Sequence, residues 1–386
     1  MALPLYQGLH APAKPDHSSH MGLWFERYFS TYPSDFDGVD ENARSEWLKT
    51  CTRHNYGEQF KNRLLDKAVR TLDMARSFAG DARIFRCAGR FVTGTGNAHP
   101  LENGFTWHPT LGMPYLPGSA VKGLVRAVIE TALDDSDEER KRLLKLWFGT
   151  EAKNDVAEQA GALIFLDALP VAPCDLKAEV LTPHMGKWYE KGGKDPLKAD
   201  TMPGDWHSPV PVTWLVASNL QLQFAILPRP GAAAVALDDV WEALEYGLLK
   251  VGAGAKTAIG FGLFEFEASL QEQINRRLES KQQQQAEALA TQQRELIMAS
   301  ASPVRRRILK LKEELDLLKV AVKPGSHEHG ALFITLEEST ETVASEGSAE
   351  ERSELLALIQ SAKDKKFVVS SKKEKEYKAM LAKLRN

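Results

Sequence analysis

Two short segments combine basic side chains with the small residues that let a backbone approach an anion. The first is Pro117-Gly118-Ser119-Ala120-Val121-Lys122-Gly123-Leu124-Val125-Arg126. Ser119 is read as the N-cap of a helix, and Pro117-Gly118 ends whatever precedes it. Lys122 and Arg126 lie four residues apart, so both project from one helix face. Unfilled N–H groups and the positive dipole end fall at the same turn as Lys122, where main chain and side chain could hold a phosphate together. Gly123 removes a side chain beside Lys122. A surface helix with two snorkelling bases explains the same residues more plainly.

The second segment is Gly252-Ala253-Gly254-Ala255-Lys256-Thr257-Ala258-Ile259-Gly260-Phe261-Gly262. Three small residues before Lys256 let N–H groups turn toward an anion, and Lys256 adds a point charge. A plain turn is the competing reading, although so many glycines are costly in ordinary structure. A Walker A loop is excluded: with Lys256-Thr257 in its last two slots, glycine is required where Ala255 and Lys250 stand. The dinucleotide pattern G-x-G-x-x-G fails because Thr257 occupies its last position.

Enzyme chemistry finds weaker support. His99, His108, His184 and His207 are candidate general bases, but no spacing fixes a His–His or His–Lys pair. Ser119-Ala120-Val121-Lys122 fits S-x-x-K and Lys256-Thr257-Ala258 nearly fits K-T-G, as in serine acyltransferases, yet no Ser-Asp-Asn occurs. His327-Glu328-His329 lacks the spacing of a helical metal site and reads as a surface turn, so no metal and no cofactor is expected. Cys51, Cys87 and Cys174 stand far apart, which excludes a cysteine zinc ribbon and a disulfide scaffold and suggests a reducing compartment.

These segments need a scaffold of more than one domain, which the 386 residues can supply. With 49 Lys and Arg against 52 Asp and Glu, the formal charge is −3, so no global positive field draws in nucleic acid. A local groove is still open. Between Arg44 and Arg90 there are eleven basic residues and five acidic ones, read either as a solvated helix face or as the flank of an RNA groove. No secretory signal or membrane span is read, and a cytoplasmic protein is expected.

Residues 1–21 read as a flexible N-terminus. Helical patterning follows from Gly22 to about Ala79, with Phe60, Leu64, Leu65, Ala68, Leu72 and Ala75 on one face. Strands are expected at 84–93, 162–168, 212–217, 220–227 and 260–267, a ribbon at 105–116, and helices at 119–132 and 237–249. Strands interleaved with two core helices suggest an α+β, ferredoxin-like (RRM-like) β-α-β-β-α-β core over 22–268. Its long loop, 170–211, carries Trp188, Tyr189 and Trp206 and reads as a projecting element. A Gln-rich helical linker (269–300) and a charged helical module (301–386) complete the chain, the latter including a helix from Pro303 to Val320.

Lys-Thr-Ala-Ile-Gly-Phe-Gly at 256–262 resembles the glycine-rich loop of the RAMP superfamily, the repeat-associated RNA-binding subunits of CRISPR effector complexes. Thr-Gly-Thr-Gly-Asn at 93–97, the Pro117–Arg126 segment with the preceding Pro-Tyr-Leu, and Leu-Thr-Pro-His-Met at 181–185 resemble more narrowly the sixth-subunit family of the type III-B (Cmr) complex. The resemblance covers about residues 22–268. It implies a non-catalytic backbone subunit that binds guide RNA near its 3′ end, contacts target RNA and sister Cmr subunits, and projects 170–211 as a thumb into the guide–target duplex. Ser119, Lys122 and Arg126 would then meet guide phosphates. Gly252, Gly254, Lys256 and Thr257 would cradle the backbone, and Thr93, Asn97 and His99 would face the same groove. Relatives that process CRISPR RNA through histidine chemistry make a metal-independent endonuclease the alternative. Target cutting in such complexes is attributed to another subunit, which leaves Asp167, Asp175 and Asp195 as minor candidates.

Overall fold

A computed structural model describes residues 14–30, 32–33, 38–132, 138–150, 158–192, 194, 197–198, 201–204, 206–318, 321–363 and 365–385. Three helices lead in: α1 (Met21–Arg27), α2 (Glu41–Thr52) and α3 (Glu58–Ser77). Next come β1 (Asp81–Cys87), β2 (Arg90–Phe91), α4 (Gly118–Ala132), α5 (Glu138–Phe148), β3 (Gly149–Thr150) and β4 (Gln159–Ala160). They are followed by β5 (Leu163–Phe165), β6 (Leu169–Pro170), β7 (Asp175–Leu181), β8 (Val212–Ser218), β9 (Gln221–Pro228), α6 (Leu237–Tyr246) and β10 (Phe264–Phe266). The chain ends in α7 (Ala268–Ser300), α8 (Pro303–Leu317), α9 (His327–Glu346), α10 (Ala349–Ala362) and α11 (Glu374–Arg385). The class is α+β, and two compact units divide the chain between Ser280 and Lys281.

The first unit is built on an antiparallel sheet in the order β10-β1-β9-β5, with β6 also paired to β9. Side chains alternate across this sheet, so neighbouring residues feed two different cores. Phe85, Leu222, Phe224 and Ile226 join the apolar stripes of α4 (Val121, Leu124, Val125, Val128) and α6 (Val240, Trp241, Leu244). Ala82, Ile84, Ala225 and Leu227 join Ala68, Leu72 and Ala75 of α3 with Ile274 and Leu278 of α7. Both faces of the sheet are therefore covered by helices. Burial of each large aliphatic side chain there contributes about 1.5–3 kcal/mol.

The opening turns of α7 belong to this core rather than to a linker. Gln271, only 8% exposed, accepts the Ile84 N–H at 2.9 Å and donates to the Ala82 carbonyl at 3.3 Å. Its amide thus continues the hydrogen-bonding edge of β1 beyond the short β10. The division between units consequently falls inside the segment read as a linker, 269–300.

Several expectations change. Residues 1–13 of the expected flexible N-terminus lie outside the described residues. Residues 16–20 are tied down: Gly57 N–H donates to the His17 carbonyl at 3.2 Å. His20 accepts the Leu23 N–H at 2.9 Å and caps α1, its other ring nitrogen lying 2.9 Å from the Pro109 carbonyl. The aromatic opening packs inward, with Trp24 stacked on Trp47 at 3.8 Å. Helix α5 had no counterpart in the sequence reading, which passed over 133–161. The 170–211 segment is not all loop: β7 pairs along its whole length with β8. Its alternation was masked because Leu176 is its only fully buried residue.

The second unit has a separate core, in which Ile308, Leu311 and Leu315 of α8 meet Leu336, Leu355, Ile359 and Phe367. Val320, the expected end of α8, lies outside the described residues. His327-Glu328-His329 opens α9 instead of forming a turn, because Ser326 accepts the His329 N–H at 3.1 Å and caps the helix. His329 is buried, with Nε2 2.8 Å from the Val368 carbonyl.

Replacing Gln271 with alanine strands the buried Ile84 N–H. Urea denaturation is expected to register a loss of about 1–3 kcal/mol.

Candidate nucleic-acid interface

Gly252 and Gly254 adopt φ of +85° and +94°, which L side chains rarely reach. A Cβ on Gly254 would lie 2.5 Å from the Val92 carbonyl oxygen. Glycine there lets the loop lie directly against the chain leaving β2. Ala255 N–H donates to that carbonyl at 2.8 Å, Ala253 N–H to Gly262 at 2.8 Å, and Gly262 N–H to Arg90 at 2.7 Å. Lys256 is itself left-handed at φ +62°, and a short 3-10 turn, Thr257–Ile259, follows it. The N–H groups of Gly254, Lys256, Thr257 and Ala258 have no hydrogen-bond partner among the described residues. The Lys256 ammonium sits 5.9 Å from the ring centre of buried Trp214, which Phe261 also stacks against at 5.9 Å. This is a pinned loop with neighbouring backbone donors and one exposed cation.

The 93–97 turn lies immediately beside it, since Val92 holds Ala255. Gly94 is at φ +74°, and a Cβ there would meet the Thr106 hydroxyl at 2.1 Å. Thr93 is fixed through its carbonyl, which accepts the Thr106 N–H at 3.0 Å, and Asn97 is exposed, its N–H on the Gly94 carbonyl at 3.0 Å. His99 has a different situation. It stacks on Phe25 at 4.1 Å, accepts the Leu101 N–H at 3.1 Å and donates from Nε2 to the Phe25 carbonyl at 2.9 Å. Both ring nitrogens are committed to backbone, and burial lowers the imidazole pKa.

The start of α4 corrects the expected cap. Ser119 is an exposed residue inside the first turn, and the Gly118 N–H donates to the Asp167 carboxylate at 2.7 Å. Asp167 thus already places a carboxylate at this helix end. Lys122 and Arg126 are exposed on one face as expected. Lys122 Nζ lies 3.5 Å from the Phe148 carbonyl, and Arg126 pairs with Glu130 at 2.8 Å. Both line a cleft of about 880 Å³ with the β3–β4 hairpin and Arg229. No residue of the glycine-rich loop lines that cleft.

The strand register places the two segments towards opposite ends of the sheet. Cys87 pairs with Phe264, so the glycine-rich loop enters β10 at the C-terminal end of β1. Arg86 pairs with Gln221, which puts the start of β9 at that same end. Pro228 pairs with Leu163 at the other end of β9, and Arg229 follows it, so the cleft that holds Lys122 and Arg126 lies towards that other end.

Sequence reasoning missed Trp214 and Arg229. The signal for Arg229 is Pro228-Arg229-Pro230, a base held between prolines where a strand ends. Trp214 carries no such mark. The basic excess from 44 to 90 is largely dispersed in ion pairs: Arg44 with Glu102, Arg83 with Glu245, Arg86 with Glu267, and Arg90 with Glu179. His108 and His207 serve local structure. His108 Nδ1 accepts from the Thr110 and Leu111 N–H groups, and His207 Nε2 lies 2.8 Å from the Met202 carbonyl. His184 is exposed. Asp175 accepts from Asn219 at 2.6 Å, and Asp195 lies outside the described residues. Among the described residues, no cluster of three or more potential metal ligands forms, and no helix is long and apolar enough to cross a membrane.

The family model of the RAMP superfamily matches residues 85–265, from β1 through β10. The matched RAMP segment contains the 93–97 turn, α4 and the whole glycine-rich loop. CRISPR system Cmr subunit Cmr6 of Pyrococcus furiosus is 24% identical over 241 residues, covering 49% of this chain and 69% of that protein. Its counterpart in Saccharolobus solfataricus is 27% identical over 167 residues, covering 43% of this chain and only 49% of the relative. Among solved structures, the type III-B Cmr-beta complex bound to cognate target RNA contains a chain 21% identical to this one. It matches with a TM-score of 0.43, over 59% of this chain and 74% of that one. The crystal structure of Cmr6 from Pyrococcus furiosus gives 20% identity and a TM-score of 0.28, over 49% of this chain and 98% of that one.

Because burial depresses its pKa, His99 contributes stability that is complete above the unfolded value of about 6.5 and lost as pH falls below it. His99→Gln is expected to lower the melting temperature at neutral pH. It should also make the further loss toward pH ~5.5 shallower. Calorimetry across that range checks both effects.

Proposed function

We propose that this chain is a non-catalytic RNA-binding backbone subunit of a type III-B CRISPR (Cmr) complex, holding the 3′ region of guide RNA and the guide–target duplex in antiviral defence. One observation carries the reading: the pinned glycine-rich loop, with its open N–H groups and exposed Lys256, lies directly beside the 93–97 turn. Donors of this kind grip the sugar–phosphate chain without reading bases. A guide-bearing subunit must accept any spacer, because base pairing supplies the sequence information.

The core supports a ferredoxin-like (RRM-like) reading through the strand order β10-β1-β9-β5, with α4 and α6 as crossovers. In an RRM, bases stack on the open sheet face. Here α3 and α7 occupy that face, which favours a strand running along the sheet end. Gly252, Gly254, Lys256 and Thr257 cradle the backbone, with Thr93 and Asn97 alongside. Lys122 and Arg126 take flanking phosphates, and Ser119, exposed beside them, offers a hydroxyl. His99 is a positioning residue that holds the turn's base against α1. The β7–β8 ribbon with exposed Tyr189 and Trp206 supports a thumb that meets the duplex. Sister Cmr subunits and target RNA are the expected partners, in the cytoplasm.

The endonuclease alternative requires a free imidazole; His99, His108 and His207 already engage backbone groups, and exposed His184 is the candidate that remains. Metal-independent cleavage of labelled repeat RNA, abolished by one His→Ala change, would overturn the non-catalytic reading.

Replacing Lys122 and Lys256 together with alanine is expected to weaken guide-RNA binding alike across spacer sequences. The salt slope should fall by about 1.4, at about 0.7 per lost phosphate contact on a single strand. Anisotropy titrations at several salt concentrations test this, and a spacer-dependent loss contradicts it.

A further inference from the structure

The cleft lined by Lys122 and Arg126 does not end at Arg229. That arginine is also a wall of a second cavity, of about 600 Å³, which lies between α5 and the chain following β9. Gln159 and Ala160 of the β3–β4 hairpin are shared as well, so the two cavities adjoin across this short seam. Arg142 and Lys145, both exposed on α5, supply the cations of the second cavity. Arg229 donates from Nε to the Gly161 carbonyl at 2.8 Å, which holds the guanidinium at the junction. Five cations therefore line the combined groove, and Glu158 is the one carboxylate among its described lining residues. Arg126 and Arg142 also touch Glu130 and Glu139 on their own helices. Exposed pairs within one helix are worth little and yield readily to a polyanion.

The distribution of these charges decides the kind of ligand. Lys122 and Arg126 face only the first cavity, Arg142 and Lys145 only the second, and Arg229 faces both. A compact anion needs cations that converge on one point. Cations spaced along a groove instead suit a chain of phosphates. Leu146 and the exposed Ala232–Ala234 stretch add an apolar side on which sugars and bases can rest.

Resting on the proposed RNA-binding function, we propose that this groove is a backbone track for single-stranded RNA. It carries the strand from Lys122 across Arg229 to Arg142 and Lys145, outside the glycine-rich loop. Arg229 is the shared contact. The track extends the RNA footprint past β5 along α5, so its contribution appears only with RNA long enough to reach both the loop and the groove.

Fluorescence anisotropy with unstructured RNAs of about 6 and about 20 nucleotides tests this on the full chain, with R229Q, R142Q/K145Q and K122Q/K256Q as variants. For the longer RNA, R142Q/K145Q is expected to weaken binding several-fold and lower the salt slope by about 1.4, and R229Q by about 0.7. For the shorter RNA, R142Q/K145Q should have little effect. R142Q/K145Q removes exposed side chains only, so it separates the track from any local disturbance that R229Q causes at Gly161. If K122Q/K256Q weakens binding while R142Q/K145Q changes neither affinity nor slope for the longer RNA, the track is wrong and the proposed function stands. If the unsubstituted chain binds neither RNA, the proposed function fails and the track with it.

Discussion

The approach of one backbone to another at Gly254 governs the candidate interface. The loop can accept no Cβ where it passes the Val92 carbonyl, and that same carbonyl receives the Ala255 N–H. One contact therefore sets the loop's height above the sheet end and brings the 93–97 turn alongside. Lys256, in a left-handed conformation with its ammonium over Trp214, follows from it. A side chain at 254 would lift the loop and separate groups whose value lies in being adjacent.

A second constraint acts from below. Alternation along β1 and β9 gives each strand two apolar faces, and each face must be covered. Helices α4 and α6 cover one, and α3 with the start of α7 covers the other. Coverage leaves the end of the sheet, rather than its face, for recognition. This explains why the exposed polar features gather in loops and helix starts. Gln271 shows how closely α7 is built into this arrangement, since its side-chain amide completes the hydrogen bonding of β1 where β10 has ended.

The second unit is stabilised by its own apolar core, and its charge blocks are partly matched internally. Lys383 meets Glu341 at 3.0 Å, and Arg307 meets Glu338. Blocks that look like separate acidic and basic regions in the linear chain thus become neighbours between α9 and other helices of the unit. Exposed pairs of this kind add little stability. Their effect is to reduce the local fields that the sequence suggests.

Local pattern was enough for much of this protein. The apolar stripe predicted α3 because a helical face repeats every three or four residues, whatever lies opposite, and helices were also expected over α4, α6 and α8. The glycines at 252 and 254 marked a special loop because only glycine enters those backbone regions cheaply. Other features depend on which distant groups meet. Ser119 met every local requirement of a cap, but Asp167, brought over by β5 and β6, supplies the partner for Gly118. His99 looked available until the Phe25 carbonyl, more than seventy residues earlier, accepted a hydrogen bond from its Nε2. Strand β7 hid because it buries little, so its periodicity was faint, and Arg229 joined Lys122 only through the strand pairing that ends β9. Conformational preference is a property of a few consecutive residues, so the linear chain determined it. Which donor finds which acceptor depends on contacts between residues far apart in the chain, and the tertiary structure alone decided those.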